Sequence, residues 1–266
     1  MTIKKIRTTA EYLLLVLISG IFILPVLFLV LQSLIGLSGA ISGNNYLQVL
    51  GKSRNIQAFA MGLKISTVAG LITVTLALSS ALVLSRNSGK RSIQILSLIL
   101  VLSGLPFCTL VIPLYFVLFT LKLLDSLPIT ILFLAAANIP LNIWILKQYI
   151  DTIPTEMKET AKLEGSTEAI FFIRILLPQL LPVLTGSFIT TFLNCWGNFI
   201  VPFILLSSST KLPAGLAFFQ VFSTGDPSMY GYLSAYAVLY FIPVIGLYLI
   251  LRLGMPRLFV LQRLKA

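Results

Sequence analysis

The chain has no histidine, only two cysteines and only eight acidic residues among its 266. Each scarcity excludes something. Without histidine, metal sites and acid–base catalysis lose their commonest side chain. Cys108 and Cys195 both fall in apolar stretches, so buried thiols are expected rather than a disulfide framework. Charged residues make up 10% of the chain against 58% hydrophobic, and the mean hydropathy is +1.01. A soluble domain cannot hide that much apolar surface, so lipid must cover most of it. No polar block is large enough for a soluble domain, and residues 1–266 are expected to form one all-α transmembrane domain. There is also no glycine-rich phosphate cradle ending in Gly-Lys-Ser or Gly-Lys-Thr, so nothing here is expected to bind a nucleotide.

What the chain has is six apolar stretches of spanning length, near residues 12–35, 62–84, 93–119, 128–146, 183–206 and 232–253. A bilayer requires about 20 residues per helical crossing. Inside lipid each backbone polar group must bond within its own segment, which makes these stretches helices. Pro25, Pro106, Pro113, Pro140, Pro202 and Pro243 lie within them and are expected to kink or break them. The first stretch, Tyr12 to Leu34, follows a basic KKIR sequence. It is too long for the apolar core of a signal peptide, and is expected to remain as the first membrane helix.

The net charge of +11 is distributed by topology. With the N-terminus inside, the inner segments carry fourteen Lys and Arg, and the outer segments carry four: Lys52, Arg54, Lys122 and Lys211. Lys64, at the expected start of the second span, counts for neither side. This asymmetry predicts a multi-pass protein with both termini in the cytoplasm. It also removes nucleic acid as a partner, because the positive charge sits at span ends and headgroups rather than in one stripe.

Five of the eight acids lie in one inner connection: Asp151, Glu156, Glu159, Glu164 and Glu168. Pro154 is expected in the first turn of a short helix, with Glu156 and Glu159 near its positive end. Met157, Thr160 and Ala161 share a face. Gly165 should end this helix in the left-handed conformation. Ser166 or Thr167 should cap a second helix, with Glu168 in its first turn, running to Pro178. The small residues Ala161 and Gly165 would let a partner's backbone approach.

The run Glu159-Thr160-Ala161-Lys162-Leu163-Glu164-Gly165, closing on Leu177-Pro178, resembles the EAA loop of permease subunits of binding-protein-dependent ABC importers. The sugar-importing, maltose-type branch is similar in three further places: Trp196-Gly197-Asn198-Phe199, IPLYFVLFTLKLLDS at 112–126 and IPLNIWILKQYIDTIP at 139–154. The likeness spans about residues 55–255. Thr160 stands where the family has its middle alanine, and Gly197 is an insertion in the tryptophan signature. The C-terminal RLFVLQRLKA lacks the glycine-containing ending common in sugar permeases.

The resemblance implies a type I importer permease fold of six transmembrane helices in a prokaryotic inner membrane, with a cytoplasmic coupling loop at about 151–178. It implies docking of that loop in a separate ATPase through Met157, Glu159, Thr160, Ala161, Leu163, Glu164 and Gly165. ATP and magnesium would be held by the ATPase, and no cofactor by this chain. The implied partners are a second permease chain, two ATPase subunits, an extracytoplasmic substrate-binding protein and the lipid bilayer. The chain would be no enzyme itself, but half of a path for a small solute, a sugar or oligosaccharide. Asn138, Asn142, Asn194, Trp196 and Asn198 are the candidate path residues. Amides suit sugar hydroxyls, and an indole face suits a sugar ring. Interhelical hydrogen bonds within the bundle are the structural alternative. An ion-coupled transporter or channel is the main functional alternative. It would want carboxylates inside the spans, and Glu11 alone lies near one. A non-transporting scaffold would explain the loop but not the kinked, polar-spotted spans, and an enzyme lacks any convergent acid–base cluster.

Overall fold

A computed structural model describes residues 2–36, 41–86, 89–104 and 106–254. The C-terminal RLFVLQRLKA, with its basic residues Arg257, Arg263 and Lys265, lies outside the described residues, as does the side chain of Cys108. Among the described residues the secondary structure is helical, with a single isolated bridge between Ile35 and Ile41. The elements are α1 Thr2–Leu34, α2 Asn44–Gly51, α3 Ser53–Arg86, α4 Lys90–Ser103, α5 Phe107–Thr120 and α6 Leu127–Ile150. They continue with α7 Glu156–Leu163, α8 Glu168–Ile170, a π-helical turn Phe171–Leu176, α9 Leu177–Trp196, α10 Ile200–Leu205, α11 Ala214–Phe222 and α12 Tyr230–Gly254.

Among the described residues five helical segments are long and apolar enough to cross a bilayer: Tyr12–Leu34, Ser53–Arg86, Leu127–Ile150, Glu168–Trp196 and Tyr230–Leu251. The stretch expected as one span at 93–119 is instead two helices of 14 residues, α4 and α5. At 1.5 Å per residue, 14 residues reach only about 21 Å. Pro106 causes the break. It has no N–H to donate, and it sits extended at the head of α5, with φ −64° and ψ 137°. The expected span 183–206 is likewise interrupted, ending at Trp196 and resuming as α10.

The packing divides the chain into two compact units, one of Met1–Ile56 with Phe218–Pro243 and one of Gln57–Ala217 with Val244–Ala266. In the first, Asn45 Nδ2 donates to the carbonyls of Ser33 and Ile35 at 3.0 and 2.8 Å, tying α2 to the end of α1. Asn55 Nδ2 donates to Val49 O and to the Tyr232 hydroxyl at 2.7 and 2.8 Å. Gly231 permits this junction, because a Cβ there would stand 2.7 Å from Asn45 Nδ2.

The second unit holds the larger core, in two clusters. One joins Ile65 and Ala69 of α3 to Val111 and Leu118 of α5, Leu134 and Ala135 of α6, Cys195, and Val201 and Leu205 of α10. The other joins Ala77, Ala81 and Leu84 of α3 to Ile143, Leu146 and Ile150 of α6, and reaches Ala161, Phe171, Leu176 and Leu180. Alanines at these crossings let helix backbones approach closely, as packing within lipid favours. This second cluster roots the 151–178 connection in the membrane bundle.

One polar node pins the connection after α5 to the segment after α10. Asp125 adopts a positive φ of 61°. Its carboxylate accepts from the backbone N–H groups of Ser207 and Ser208 at 2.9 and 3.0 Å and from the Ser208 hydroxyl. The Lys211 ammonium pairs with it at 2.6 Å. Lys211 and then Ser208 hold the Asp125 carboxyl well below the usual carboxylate range.

Candidate functional site

The inner connection forms the corner that its residues dictate. Helix α7 ends at Glu164, and Gly165 takes φ +81°. The Gly165 N–H donates to Lys162 O at 3.0 Å and the Ser166 N–H to Ala161 O at 2.9 Å. These are the two bonds of a Schellman cap, which needs a left-handed residue at the glycine's place. Thr167 then caps the next helix, its hydroxyl accepting from Ile170 N at 3.3 Å. Pro154 stands two residues before α7, just ahead of the N-cap position Thr155, rather than in its first turn.

Pro178 does not end the second helix. The chain runs on through the π-helical turn into α9, with Leu177 N donating to Phe172 O, five residues back. The widened turn re-routes the hydrogen-bond ladder just ahead of a residue that cannot donate.

Charge ties the corner together at its surface. Glu168 meets Lys158 at 3.0 Å, Arg86 at 3.3 Å and Lys162 at 3.4 Å. One carboxylate thus joins α7, α8 and the end of α3. Asp151 adds a second tie, accepting from Ser85 Oγ at 2.7 Å and pairing with Lys147 at 2.5 Å. A cavity of about 460 Å³ lies between these ties, lined in part by Ser85, Arg86, Pro154, Thr155, Lys158 and Phe171.

The seven expected docking residues separate into two faces. Ala161, only 5% exposed, packs in the bundle core with Met157 against it. Gln179 Nε2 donates to the Met157 sulfur at 3.2 Å. Both residues therefore look into their own chain, and their small or flexible side chains serve the approach of α7 to α9. Glu159, Thr160, Leu163, Glu164 and Gly165 face outward. Leu163 is 89% exposed on an otherwise polar turn.

The five expected path residues also differ in role. Asn194 is exposed, and its Nδ2 donates to Asn138 Oδ1 at 3.0 Å. Asn138 donates to Leu134 O at 2.8 Å. Asn142 donates to Asn138 O at 2.8 Å and to Thr191 Oγ1 at 3.1 Å. These four make a polar seam between α6 and α9 that is buried except at Asn194. The Asn142 Oδ1 atom is buried with no hydrogen-bond donor among the described residues. Asn198 Oδ1 instead accepts from Val201 N at 3.0 Å and starts α10. Trp196 is 4% exposed and stacks on Phe192 at 6.0 Å, so its ring face is covered. Gly62 admits it, since a Cβ there would lie 2.9 Å from Trp196 Cζ3.

Sequence reasoning missed Arg86, Gln179 and Thr191, and gave Glu168 only a place in a first turn. The spacing of Lys158 and Lys162 on one helical face, with Glu168 just past a glycine corner, is the signal that points to Glu168 as an anchor. Thr191 shows none, because its partner lies 49 residues away.

Residues 73–260 match the family described as binding-protein-dependent transport system inner membrane component. That range includes the whole corner and the polar seam. The chain is 28% identical over 195 residues to the inner membrane ABC transporter permease protein YcjP of Escherichia coli (strain K12), across 73% of this chain and 69% of that one. It is 30% identical over 202 residues to the galactooligosaccharides transport system permease protein GanQ of Bacillus subtilis (strain 168), across 74% and 70%. Among solved structures it superposes on a chain of a bacterial ABC transporter involved in the import of the acidic polysaccharide alginate. The TM-score is 0.77 at 18% identity, covering 93% of this chain and 96% of that one.

Proposed function

We infer, from the premise that this chain belongs to the binding-protein-dependent transport system inner membrane components, that it is one half of an ATP-driven import path. A separate ATPase engages it at the 151–178 corner. The observation that carries this reading is the outward face of α7. There a nearly bare Leu163 stands among Glu159, Thr160 and Glu164 on a helix whose other face is packed into the membrane bundle. An apolar side chain held in water on a short anchored helix suits insertion into a partner's groove. Movement of the corner would pass to α3, α6 and α9 through Ala161, Glu168 and Asp151, and rigid-body rocking of the bundle would follow. In this reading ATP and magnesium belong to the partner.

A second permease chain completes the path, and an extracytoplasmic binding protein delivers the solute. A sugar or oligosaccharide is the proposed cargo. The name of GanQ, together with an amide seam surfacing at Asn194, supports it. Between Tyr12 and Leu251 every carboxylate lies at 125, 226 or within 151–168, which disfavours ion coupling through a buried acid. The Lys and Arg asymmetry supports a cytoplasmic corner and cytoplasmic termini.

The test is Leu163→Asp in the complex co-expressed with its ATPase. Burying a leucine contributes about 1.5–3 kcal/mol, so co-purification of the ATPase should fall on the order of tenfold or more, and uptake with it. Unchanged recovery of the ATPase together with unchanged uptake sinks the docking assignment.

A further inference from the structure

At the membrane edge of the second unit lies a cavity of about 740 Å³, within the usual range for a small-molecule site. Its walls are Val83, Leu84 and Arg86 from α3 and Gly89, Lys90, Arg91, Ser92 and Ile95 around the start of α4. Three of these eight residues are cationic and none is acidic. The carboxylate that faces the group is Glu168, 3.3 Å from Arg86, and Lys158 and Lys162 already surround it. The balance here is strongly positive. The start of α4 adds to it, because the positive end of the helix dipole lies here and Gly89 supplies no side-chain cap.

Apart from Ser92, whose hydroxyl donates to Leu84 O at 2.9 Å, the rest of the lining has no polar side chain, and its apolar part leads away along the helices. Val83 and Ile95 are exposed, and the exposed row on α4 continues through Leu98 and Leu102. Cations at a span's end, with a bare apolar stripe running from them into the membrane, match one kind of ligand: a phosphate ester carrying acyl chains. We propose that Arg86, Lys90 and Arg91 form a site for the headgroup of an anionic glycerophospholipid, with its chains along α4. The phosphate charge satisfies the cations, and the chains cover the stripe. Arg86 also lines the cavity beneath the corner, so the bound phosphate sits one side chain from Glu168. The proposal requires only that α3 and α4 end at a membrane surface. Recovery of the ATPase, which tests the corner, is a separate measurement.

The experiment is native mass spectrometry of the full chain in mild detergent, titrated with dioleoyl phosphatidylglycerol or dioleoyl phosphatidylcholine. A basic side chain near an anionic headgroup contributes enough that three should favour phosphatidylglycerol on the order of tenfold or more. The triple variant R86Q/K90Q/R91Q should remove that preference, and K90Q alone should reduce it if the triple variant fails to fold. Equal retention of the two lipids by the unaltered chain overturns the proposal. An unchanged preference in the variants overturns the assignment to these residues. Displacement of phosphatidylglycerol by inorganic phosphate at matching concentration overturns the lipid in favour of a free-phosphate site.

Discussion

Gly165 offers a perturbation whose effects on geometry and on charge can be separated. Its φ of +81° lies in the region that disfavours L side chains, yet a Cβ built on it meets nothing within 4 Å. A substitution there therefore strains the backbone without a clash. The left-handed conformation costs an ordinary L residue about 1–2 kcal/mol, which shifts an equilibrium roughly five- to thirtyfold. Helix α7 has only eight residues, too few to hold together without its caps and packing, so the shift should be visible locally. Asn and Asp tolerate this conformation better than Ala, and Ala better than a β-branched Val. Hydrogen exchange at the Gly165 and Ser166 amides, which close the cap, should speed up in the order Asn, Ala, Val. Gly165→Asp is nearly isosteric with Gly165→Asn but adds a negative charge beside Glu164. Against the helix end this charge costs only about 0.3–1 kcal/mol, so the corner should still form. If the outward face docks in the ATPase, Asn should keep most of the uptake while Asp abolishes it with membrane insertion intact. Equal uptake by the Asn and Asp variants would refute the docking argument. Unaltered exchange in Val would refute the conformational one.

Two further substitutions probe what holds the bundle. Asp125→Asn removes the pairing with Lys211 at the 122–128 connection, and should cost about 1–2 kcal/mol by thermal unfolding, given partial exposure. Because folding lowers the Asp125 pKa, its contribution is complete above the ordinary carboxylate value near pH 4 and is lost as the pH falls below it. The gap between the two melting curves should hold from pH 8 to about 5 and narrow in acid. A gap that instead narrows toward alkaline pH contradicts the assignment. Gly62→Val forces a Cβ to within 2.9 Å of the covered Trp196 ring, and overpacking of this kind costs about 1–3 kcal/mol. A lowered melting temperature with a shifted tryptophan emission is expected. An unshifted emission would mean the ring has room to move.

The inner corner was legible in the sequence because its determinants are local. A glycine that ends one helix and a threonine that starts the next act within four residues, and both stand where expected. The orientation of α7 was not legible. Met157 and Ala161 share a face by spacing alone, but whether that face meets a partner or its own bundle depends on Phe171, Leu176 and Leu180, which come from beyond the corner. The asparagines behaved similarly. Their type marked them as polar groups needing partners; Asn138, Asn142 and Asn194 found them in one another, Leu134 O and Thr191, and Asn198 in the Val201 N–H. Trp196 drew notice for its flat face, but Phe192, one turn earlier on α9, stacks on it, as the i, i+4 spacing allows, and Gly62 approaches it from α3, which no local pattern connects.

The prolines show why a local rule gave two different outcomes. A proline inside a helix costs about 3 kcal/mol or more, and that penalty is similar wherever it falls. Around Pro178 the chain recovers it. Continuing through a π-helical turn seats Phe171 and Leu176 ahead of the proline and Leu180 after it, all buried. Their packing against α3 and α6 holds the turn in place, so the helix persists. Ahead of Pro106 the described residues of the last turn of α4 bury little. The last turn of α4 carries Val101 and Leu102, 69% and 47% exposed. In lipid these side chains gain nothing further from a continuous helix, and the backbone breaks. Whether a membrane proline kinks, breaks or passes unnoticed is thus decided by what the flanking turns bury, and periodicity within a uniformly apolar stretch does not carry that information.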